Sequence, residues 1–426
     1  MDKNYLKFVI VGHVDHGKSS LIGRLLYECG LIPEEKITEV KTVCAALGRP
    51  FEFCFLLDYL EEERQKNITI DTTQIFFNTV KRNYVIIDAP GHKEFLKNMI
   101  TGSSQAEAAV LIVDAKEGVK EQTKRHAYLL SLLGISQLIV AVNKMDLVGY
   151  RQNRFNEVGN ELLKHLTAVN LKPNFIIPIS ASEGDNIAKK SEKMGWNNGP
   201  AVLEALDSFK NKVDDENLPL RLPIQDVYPA PSGQGWTGVG VYDGMPVGQI
   251  ESGILKKSEE IIILPANKKA RVAEIKKWQP ASPAGRRDLS ESMAGDNVGV
   301  ILEKNPDVNR GDVLCSLDRL PRVTADFKAT IFWMSQKPLP IGEKFNLKLA
   351  TQASEAQIKK IHKLMDSSSL ELINRNDEIR ETEVAEVEIE TTKPLVFEDF
   401  NYLPPLGRFV IVKDEDIAGG GIITKN

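Results

Sequence analysis

The first half of the chain consists of short apolar runs separated by polar and turn residues. Five runs, each four or five residues long and rich in Val and Ile, lie at Phe8–Val11, Tyr84–Ile87, Ala109–Val113, Leu138–Val142 and Phe175–Ile179. Such runs are typical of strands buried on both faces of a parallel sheet. Between the first two runs, Leu21, Ile22, Leu25 and Leu26 follow the spacing of one buried helix face. This alternation predicts a doubly wound, mostly parallel α/β domain over residues 1–212.

The pattern changes at NKVDDENLPLRLP, a charged and then proline-punctuated stretch that reads as a linker. Beyond it the segments are short and strand-like, for example Gln249–Leu255 and Glu260–Leu264, and turn residues separate them. In the segment Ala385–Glu390 apolar residues alternate with glutamates, as in a half-buried strand. We therefore predict two small all-β barrels, over residues 213–321 and 322–426.

The composition suits a soluble globular protein, with 42% hydrophobic and 27% charged residues and a net charge of −5 over 426 residues. No apolar run approaches the roughly 18 residues that a membrane span needs. The N-terminus runs into the first apolar stretch without a signal-peptide layout, so we expect a cytoplasmic protein with no membrane partner. From Arg322 to Asn426, 17 acidic residues exceed 14 basic ones, which weakly disfavours an RNA-gripping domain.

Residues 12–19, GHVDHGKS, match the phosphate-binding pattern G-x-x-x-x-G-K-[ST]. The glycines let backbone amides close around phosphate groups, Lys18 neutralises the β- and γ-phosphates, and the Ser19 hydroxyl ligates Mg²⁺. A glycine turn before a helix is the alternative, but the motif lies between the first strand and its helix, where a phosphate loop belongs. The predicted contacts are Gly12, His13, Val14, Asp15, His16, Gly17, Lys18, Ser19 and Ser20.

Two further positions complete the predicted phosphate site. In Asp88-Ala89-Pro90-Gly91, which follows the second apolar run, the Asp88 carboxylate holds Mg²⁺ and the Gly91 amide reaches the γ-phosphate. Taken alone this motif is a common turn, and its value lies in its place in the order. Thr69 is predicted to reach Mg²⁺ and the γ-phosphate, and His92 to position the attacking water, although a strand start and a packed histidine are the alternatives. The predicted catalytic set is His92, Lys18 and Thr69.

Asn143-Lys144-Met145-Asp146 follows another buried run and predicts a guanine site. Asp146 accepts from both N1–H and the 2-amino group of guanine, which adenine does not offer. Asn143 bridges the base and the phosphate loop, and the stem of Lys144 covers the ring. Ser180-Ala181-Ser182 completes the pocket with a backbone amide. Each piece alone is an ordinary loop after a strand, but the four in this order indicate a site for GTP rather than ATP.

These motifs resemble the translation-factor class of GTPases, which includes elongation factors Tu and 1-alpha and the large subunit of bacterial sulfate adenylyltransferase. The resemblance is carried by GHVDHGKSSLIGRLL, DAPGHKEFLKNMITGSSQAEAAVLIVDA and NKMDL, and it extends into GDNVGVILE and LPPLGRFVIVKDEDIAGGGII. It implies the roles given above, an apolar gate of Val14 and Ile68 beside His92, and a monovalent-cation contact from Asp15. Asn67 stands where the class has glycine.

Within the class, three segments are similar to the sulfate adenylyltransferase subunit. They are DAKEGVKEQTKRHAYLLSLLGISQLIVAVNKMDLVGY, VNLKPNFIIPISASEGDNIAKKSEKMGWNNGPAVLEAL and FNLKLATQASEAQIKKIHKLMDSSSLE. This resemblance implies a GTPase that drives adenylylsulfate formation from ATP and sulfate on a smaller ATP-sulfurylase catalytic subunit. One alternative is a translation elongation factor that delivers aminoacyl-tRNA to the ribosome. Another is a switch whose only output is a protein interaction.

Overall fold

The computed structural model describes residues 5–46, 48, 53, 55, 74–87, 106–210, 217–228, 244–278, 286–303 and 306–424. The chain divides into two compact units. The first comprises Met1–Met99, Ser103–Lys212 and Ser367–Leu370, and the second comprises Ile100–Gly102, Val213–Asp366 and Glu371–Asn426.

A six-stranded sheet forms the centre of the first unit, in the order β2-β3-β1-β4-β5-β6. Its strands are β1 (Tyr5–Gly12), β2 (Gln74–Asn78), β3 (Asn83–Ile87), β4 (Ala108–Asp114), β5 (Gln137–Asn143) and β6 (Phe175–Pro178). All five predicted strands are present. The edge strand β2 was not predicted, and it runs antiparallel to β3, so the sheet is mixed. Its alternating burial distinguishes it from the fully buried central strands, because an edge strand faces solvent on one side.

Helices pack against this sheet. The described helices of the first unit are α1 (Lys18–Glu28), α2 (Glu34–Ala46), α3 (Glu121–Leu132), α4 (Gln152–Ala168) and α5 (Val202–Ser208). Helix α1 buries Leu21, Ile22, Leu25 and Leu26, as their spacing predicted, in the same core as Phe8. None of the helices in the described ranges has the length and apolar character needed to cross a membrane.

The first half of the C-terminal unit is a ring of antiparallel strands. The strands of this half are β7 (Arg221–Tyr228), β8 (Met245–Gln249), β9 (Ile254–Lys256), β10 (Glu260–Leu264), β11 (Lys268–Trp278), β12 (Arg286–Leu289), β13 (Glu291–Met293), β14 (Asn297–Leu302) and β15 (Val313–Cys315). Strands β9 and β13 pair with each other as a separate two-stranded sheet, and β12 pairs with β11 beside the ring. The order β10-β15-β7-β8-β14-β11 returns to its start because β10 also pairs with β11. The prediction of one strand over Gln249–Leu255 is wrong, because Gly253 turns there with a φ of +77°.

The second half is a closed barrel of six antiparallel strands, in the order β16-β21-β19-β18-β22-β23. The strands of this half are β16 (Arg322–Trp333), β17 (Leu339–Pro340), β18 (Lys344–Leu349), β19 (Gln352–Asp366), β20 (Glu378–Ile379), β21 (Glu383–Phe397), β22 (Arg408–Lys413) and β23 (Asp416–Ile423), with the short helix α6 (Pro404–Gly407). In β21 the apolar residues Ala385, Val387 and Ile389 face the core, and the alternating glutamates at 386, 388 and 390 face outward. The predicted fold class is confirmed, while the domain limits at residues 212 and 321 stay predictions.

The outer face of this barrel pairs its acidic residues with basic ones. Three cross-strand contacts join β19 to β21: Lys359–Glu390 at 3.6 Å, His362–Glu388 at 2.9 Å and Lys363–Glu386 at 3.6 Å. The excess of acidic residues in the sequence therefore does not create an uninterrupted acidic surface on these strands.

Candidate functional site

Four parallel strands deliver the site residues to one edge of the sheet. Gly12, Asp114 and Asn143 are the last residues of β1, β4 and β5, and Ser180 follows β6. Because these strands are parallel, their carboxyl ends meet at the same edge. Ligands of doubly wound sheets bind at this edge, so the predicted motifs fall where the fold places a site.

The phosphate loop depends on two glycines. A Cβ on Gly12 would lie 2.4 Å from the main-chain oxygen of Ile112, and one on Gly17 would lie 2.4 Å from the Asn143 side-chain nitrogen. Gly17 also has a φ of +94°, which favours glycine, and helix α1 begins at the next residue. The loop is thereby folded tightly against β4 and β5, in front of the N-terminus of a helix, which favours an anion.

Lys18 lies across the same loop. Its ammonium donates to the main-chain oxygens of Gly12 at 3.0 Å and His13 at 2.9 Å. The Ser19 side chain is exposed in the first turn of α1. The site thus combines a cation, an exposed hydroxyl and a helix N-terminus. The cation and the helix N-terminus fit a phosphate group, and the hydroxyl fits Mg²⁺.

Asn143 joins the phosphate loop to the loop after β6. Its side-chain amide donates to the His16 carbonyl at 2.9 Å, and its side-chain oxygen accepts from the Ala181 amide at 2.9 Å. Both contacts are buried, and Asn143 itself is 2% exposed. The structure therefore assigns Asn143 the bridge to the phosphate loop that its motif predicted.

Asp146 and Ser180 form a second junction, between the loops after β5 and β6. The Ser180 hydroxyl donates to the Asp146 carboxylate at 2.6 Å and lies 3.1 Å from the Ser182 hydroxyl. The Met145 amide donates to the Ile179 carbonyl at 3.1 Å, which holds the two loops side by side. Asp146 thus has an oriented carboxylate, and this arrangement suits recognition of a base edge with two adjacent donors.

Asp114 is a site residue that the motifs did not include. Its carboxylate is 2% exposed and contacts the Lys144 ammonium at 2.8 Å. Burial opposes ionisation, but the Lys144 ammonium and the amides of Glu117 and Lys116 outweigh it and hold the pKa of Asp114 below its usual range. The contact fixes the Lys144 stem beside the base-site loop. The sequence did contain a signal for Asp114. It lies at the end of a buried strand, as Gly12 and Asn143 do.

His16 is a neutral residue inside the phosphate loop. Burial, helped by the His13 ring 5.0 Å away, lowers the pKa of His16 from 6.5 to about 4 against the opposing effect of Asp114 and Glu117. Its Nδ1 accepts from the Asp114 amide at 3.3 Å, so Nε2 carries the proton. The 3.9 Å approach of Nε2 to Glu117 is therefore not an ion pair at neutral pH.

Arg24 and Glu28, also missed by the motifs, connect helix α1 to the loop after β6. Arg24 donates to the main-chain oxygens of Ser182 and Glu183, both at 3.1 Å, and pairs with Glu28 at 2.6 Å. Glu28 in turn accepts from the Ala188 amide at 3.2 Å. No local pattern announces these contacts, because an i, i+4 Arg–Glu pair is ordinary on any helix surface.

Val14 protrudes from the phosphate loop. Its side chain is 56% exposed, and its amide donates to the Gln122 side chain at 3.0 Å. Gln122 lies in the first turn of α3, so this helix supports the outer part of the loop. Two other predicted contacts are described: Asp15 is exposed with a φ of +64°, and Ser20 is half-buried in the first turn of α1. The remaining predicted site residues, Thr69, Asp88, Gly91 and His92, lie outside the described residues, as do Asn67 and Ile68.

Comparison with known proteins identifies relatives of both units. Residues 3–212 match the family described as "Elongation factor Tu GTP binding domain", and residues 326–424 match "GTP-eEF1A C-terminal domain-like". Elongation factor 1-alpha of Pyrococcus furiosus is 41% identical, over 96% of this chain and 95% of that protein. The Methanoculleus marisnigri factor of the same name is 39% identical, over 96% of this chain and 94% of that protein.

A solved structure of Sup35 complexed with GMPPNP is also similar. Its sequence is 25% identical, the match covers 99% of this chain and 94% of that chain, and the TM-score is 0.44.

The prediction that this chain is a sulfate adenylyltransferase subunit is wrong, and so is the prediction of its partner, a smaller ATP-sulfurylase catalytic subunit. Relatives that match nearly the whole chain at about 40% identity are named elongation factor 1-alpha. The segment FNLKLATQASEAQIKKIHKLMDSSSLE, used to separate the two, contains most of β18 and all of β19 in the closed barrel. The alternation of apolar and polar residues in this segment reflects which face of each barrel strand is buried. It therefore carries no information about a binding partner.

Proposed function

The chain belongs to the translation-factor family of GTPases that includes elongation factors Tu and 1-alpha, and on that premise we propose that it delivers aminoacyl-tRNA to the ribosome. As a member of this family it uses GTP with Mg²⁺ and hydrolyses GTP. The observation that supports the finer proposal is the extent of the similarity. It covers 96% of the chain at 41% identity and includes the C-terminal barrel as well as the GTP-binding domain.

The described site residues take the following roles in this proposal. The backbone of the phosphate loop surrounds the phosphates, Lys18 neutralises the β- and γ-phosphate charge, and Ser19 ligates Mg²⁺. Asp146 accepts from the guanine N1–H and 2-amino group. The Ala181 amide donates to the Asn143 side chain, and this bond holds the Ser180–Ser182 loop beside the proposed base pocket. Lys144, fixed by Asp114, covers the base ring.

Four residues outside the described ranges complete the proposed site. Thr69 and Asp88 are the remaining proposed Mg²⁺ ligands, Gly91 contacts the γ-phosphate, and His92 orients the attacking water. When bound, Mg²⁺ would supply positive charge that neutralises the phosphates. Contacts of Thr69 and Gly91 depend on the γ-phosphate, so loss of that group on hydrolysis releases both segments and changes what the protein binds.

Binding of aminoacyl-tRNA to the GDP form and to the GTP form tests the proposal. The chain is loaded with GDP or with a non-hydrolysable GTP analogue, and protection of the aminoacyl ester against spontaneous hydrolysis is measured over a range of protein concentrations. We expect the GTP-analogue form to bind aminoacyl-tRNA about tenfold or more tightly than the GDP form, a usual size for coupling between two ligands. Uncharged tRNA is the control for non-specific RNA binding.

Ribosomes provide the second readout. GTP hydrolysis by the aminoacyl-tRNA complex is expected to rise when ribosomes carry the matching codon, and to rise less with a non-matching codon. Equal tRNA affinity in both nucleotide states, together with no stimulation by ribosomes, would contradict the elongation role while leaving GTP binding intact.

A further inference from the structure

A polar cluster centred on Asp185 lies behind the loop that follows β6. Asp185 is 9% exposed, and its carboxylate accepts from the Tyr150 hydroxyl at 2.8 Å, the Ser191 hydroxyl at 2.6 Å and the Lys193 ammonium at 3.2 Å. Burial alone would raise the pKa of Asp185, but these three donors outweigh it and hold the pKa below its usual range. The cluster therefore contains a charged, fully engaged carboxylate that no nucleotide-site motif includes.

Tyr150 belongs to the loop that carries Asp146. Its amide donates to the Met145 carbonyl at 2.8 Å, and its φ of +55° closes the turn after the 3-10 helix Met145–Val148. Two other groups hold it: the indole of Trp196 donates to its main-chain oxygen at 3.1 Å, and the Lys193 ammonium lies 5.1 Å from the centre of its ring. The Tyr150 hydroxyl is thus a fixed extension of the Asp146 loop.

Asp185 belongs in the same way to the loop that carries Ser180. The Ser180 amide donates to the Asp185 carbonyl at 3.2 Å, and the Asp185 amide donates back to the Ser180 carbonyl at 3.1 Å. The two loops are consequently joined by three hydrogen bonds. Two of them lie at the base-site end, from Met145 to Ile179 at 3.1 Å and from Ser180 to Asp146 at 2.6 Å, and the third is the 2.8 Å bond from Tyr150 to Asp185. The third bond attaches the loops at a separate pair of residues and so further restricts rotation of one loop against the other.

We propose that Tyr150, Asp185, Ser191 and Lys193 form a clamp that positions Asp146 against the Ser180–Ser182 loop and thereby sets the preference for guanine over bases that lack its 2-amino group. A bidentate contact needs both carboxylate oxygens aimed at two adjacent donors, so a small rotation of the loop weakens it. In this proposal the four are positioning residues, since they act on the base only through Asp146. The inference rests on the proposed reading of guanine by Asp146.

The test compares GDP with IDP, which lacks the 2-amino group. Dissociation constants for both are measured by competition with a fluorescent GDP analogue, for the wild type and for Tyr150→Phe and Asp185→Asn. We expect the ratio of IDP to GDP dissociation constants to fall about fivefold in Tyr150→Phe, the size of one modest hydrogen bond, and further in Asp185→Asn. Equal weakening of GDP and IDP binding, with an unchanged ratio, would make the cluster merely structural and overturn the proposal.

Tyr84→Phe is the matched control. It removes a tyrosine hydroxyl of β3 that donates to the Asp207 carboxylate of α5, in the same unit but on elements other than the two base-site loops. Its ratio is expected to equal that of the wild type. If Asp185→Asn fails to fold, Tyr150→Phe decides the question, because it removes one hydroxyl and keeps the ring in place.

An Asp146→Asn variant separates the two hypotheses. If that variant keeps the wild-type preference for guanine, the proposed reading of the base fails. If it changes the preference while Tyr150→Phe and Asp185→Asn keep the wild-type IDP to GDP ratio, the base-reading role stands and the clamp alone is wrong.

Discussion

The side-chain amide of Asn143 donates a 2.9 Å hydrogen bond to the main-chain oxygen of His16, so the end of β5 is tied directly to the phosphate loop. The same side chain receives the Ala181 amide at 2.9 Å. One buried residue therefore sets the separation between the part of the site that faces phosphates and the part that faces the base. This arrangement makes the two halves of the site mechanically dependent on each other.

Asn143→Ala is expected to weaken GDP binding by about 2 kcal/mol, roughly thirtyfold, because it deletes two buried hydrogen bonds that hold the site loops together. Titration with a fluorescent GDP analogue measures the effect. The control is Asn174→Ala, which removes an acceptor for the Leu138 amide at 2.8 Å, at the opposite end of the same strand. Similar losses of GDP affinity in both variants would contradict the bridging role.

Asp146→Asn is expected to shift the nucleotide preference from guanine toward xanthine. The carboxylate is proposed to accept from the guanine 2-amino group, whereas an asparagine amide would donate to the oxygen that xanthine carries there. Competition between GDP and XDP measures the change, and a swing in their affinity ratio of about a hundredfold or more is expected from the unpaired polar group alone. An unchanged guanine preference would refute the role of Asp146.

The pKa of His16 predicts a loss of stability in acid. Because burial and His13 lower its pKa from 6.5 to about 4, the unfolded chain binds a proton between these values that the native chain does not. The free energy of unfolding should therefore fall as the pH falls from about 6.5 to about 4, by about 3 kcal/mol in total.

His16→Asn isolates this effect, because the asparagine oxygen still accepts from the Asp114 amide but does not titrate. Chemical unfolding of the wild type and the variant across this pH range gives the difference between their free energies of unfolding. Burial also lowers the pKa of His165, but this residue is present in both proteins, so its contribution cancels in the difference. A difference that stays constant with pH would show that His16 titrates normally.

His92→Ala is expected to lower the rate of GTP hydrolysis about a hundredfold while leaving the affinity for GTP unchanged, because the residue is proposed to orient water and not to hold the nucleotide. Single-turnover hydrolysis and equilibrium binding are measured on the same preparation. Parallel loss of binding and hydrolysis would instead indicate a structural histidine.

The buried pair of Arg221 and Glu398 predicts a strong asymmetry between single and double substitutions. Arg221 is 1% exposed, and its guanidinium contacts Glu398 at 2.7 Å and the main-chain oxygens of Leu220 and Arg319. Arg221→Met should destabilise the C-terminal unit by about 3–5 kcal/mol, because Glu398 is left buried and unpaired, whereas the double variant with Glu398→Met should recover most of that loss.

Urea unfolding of these variants measures both losses. Lys337→Met serves as the control because its pair with Asp414, at the similar distance of 2.8 Å, has side chains that are 75% and 64% exposed. An exposed pair of this kind contributes at most about 1 kcal/mol. Equal losses of unfolding free energy in Arg221→Met and Lys337→Met would show that burial does not determine the contribution of the Arg221–Glu398 pair.

The covalent sequence was sufficient for the fold class and for the place of two candidate-site motifs at one edge of the sheet. Residues 12–19 and 143–146 each follow a buried strand directly, and chain connectivity alone places them at the carboxyl edge of a parallel sheet. The sequence patterns did not, however, distinguish a sulfate adenylyltransferase subunit from an elongation factor within the family. The segments that were compared form strands and loops common to the fold, and the net charge of the last barrel concealed the pairing of its acidic residues.

Contacts between distant segments were decided by the tertiary structure alone. Arg24 reaches Ser182 across 158 residues, and Asn143 reaches His16 across 127. Only the second was anticipated, because a short motif marks Asn143 whereas nothing near Arg24 or Tyr150 does. The physical reason is that a local pattern records the burial and backbone geometry of its own residues. Which two side chains meet depends on how helices and loops pack around the sheet, and that is settled only when the whole unit folds.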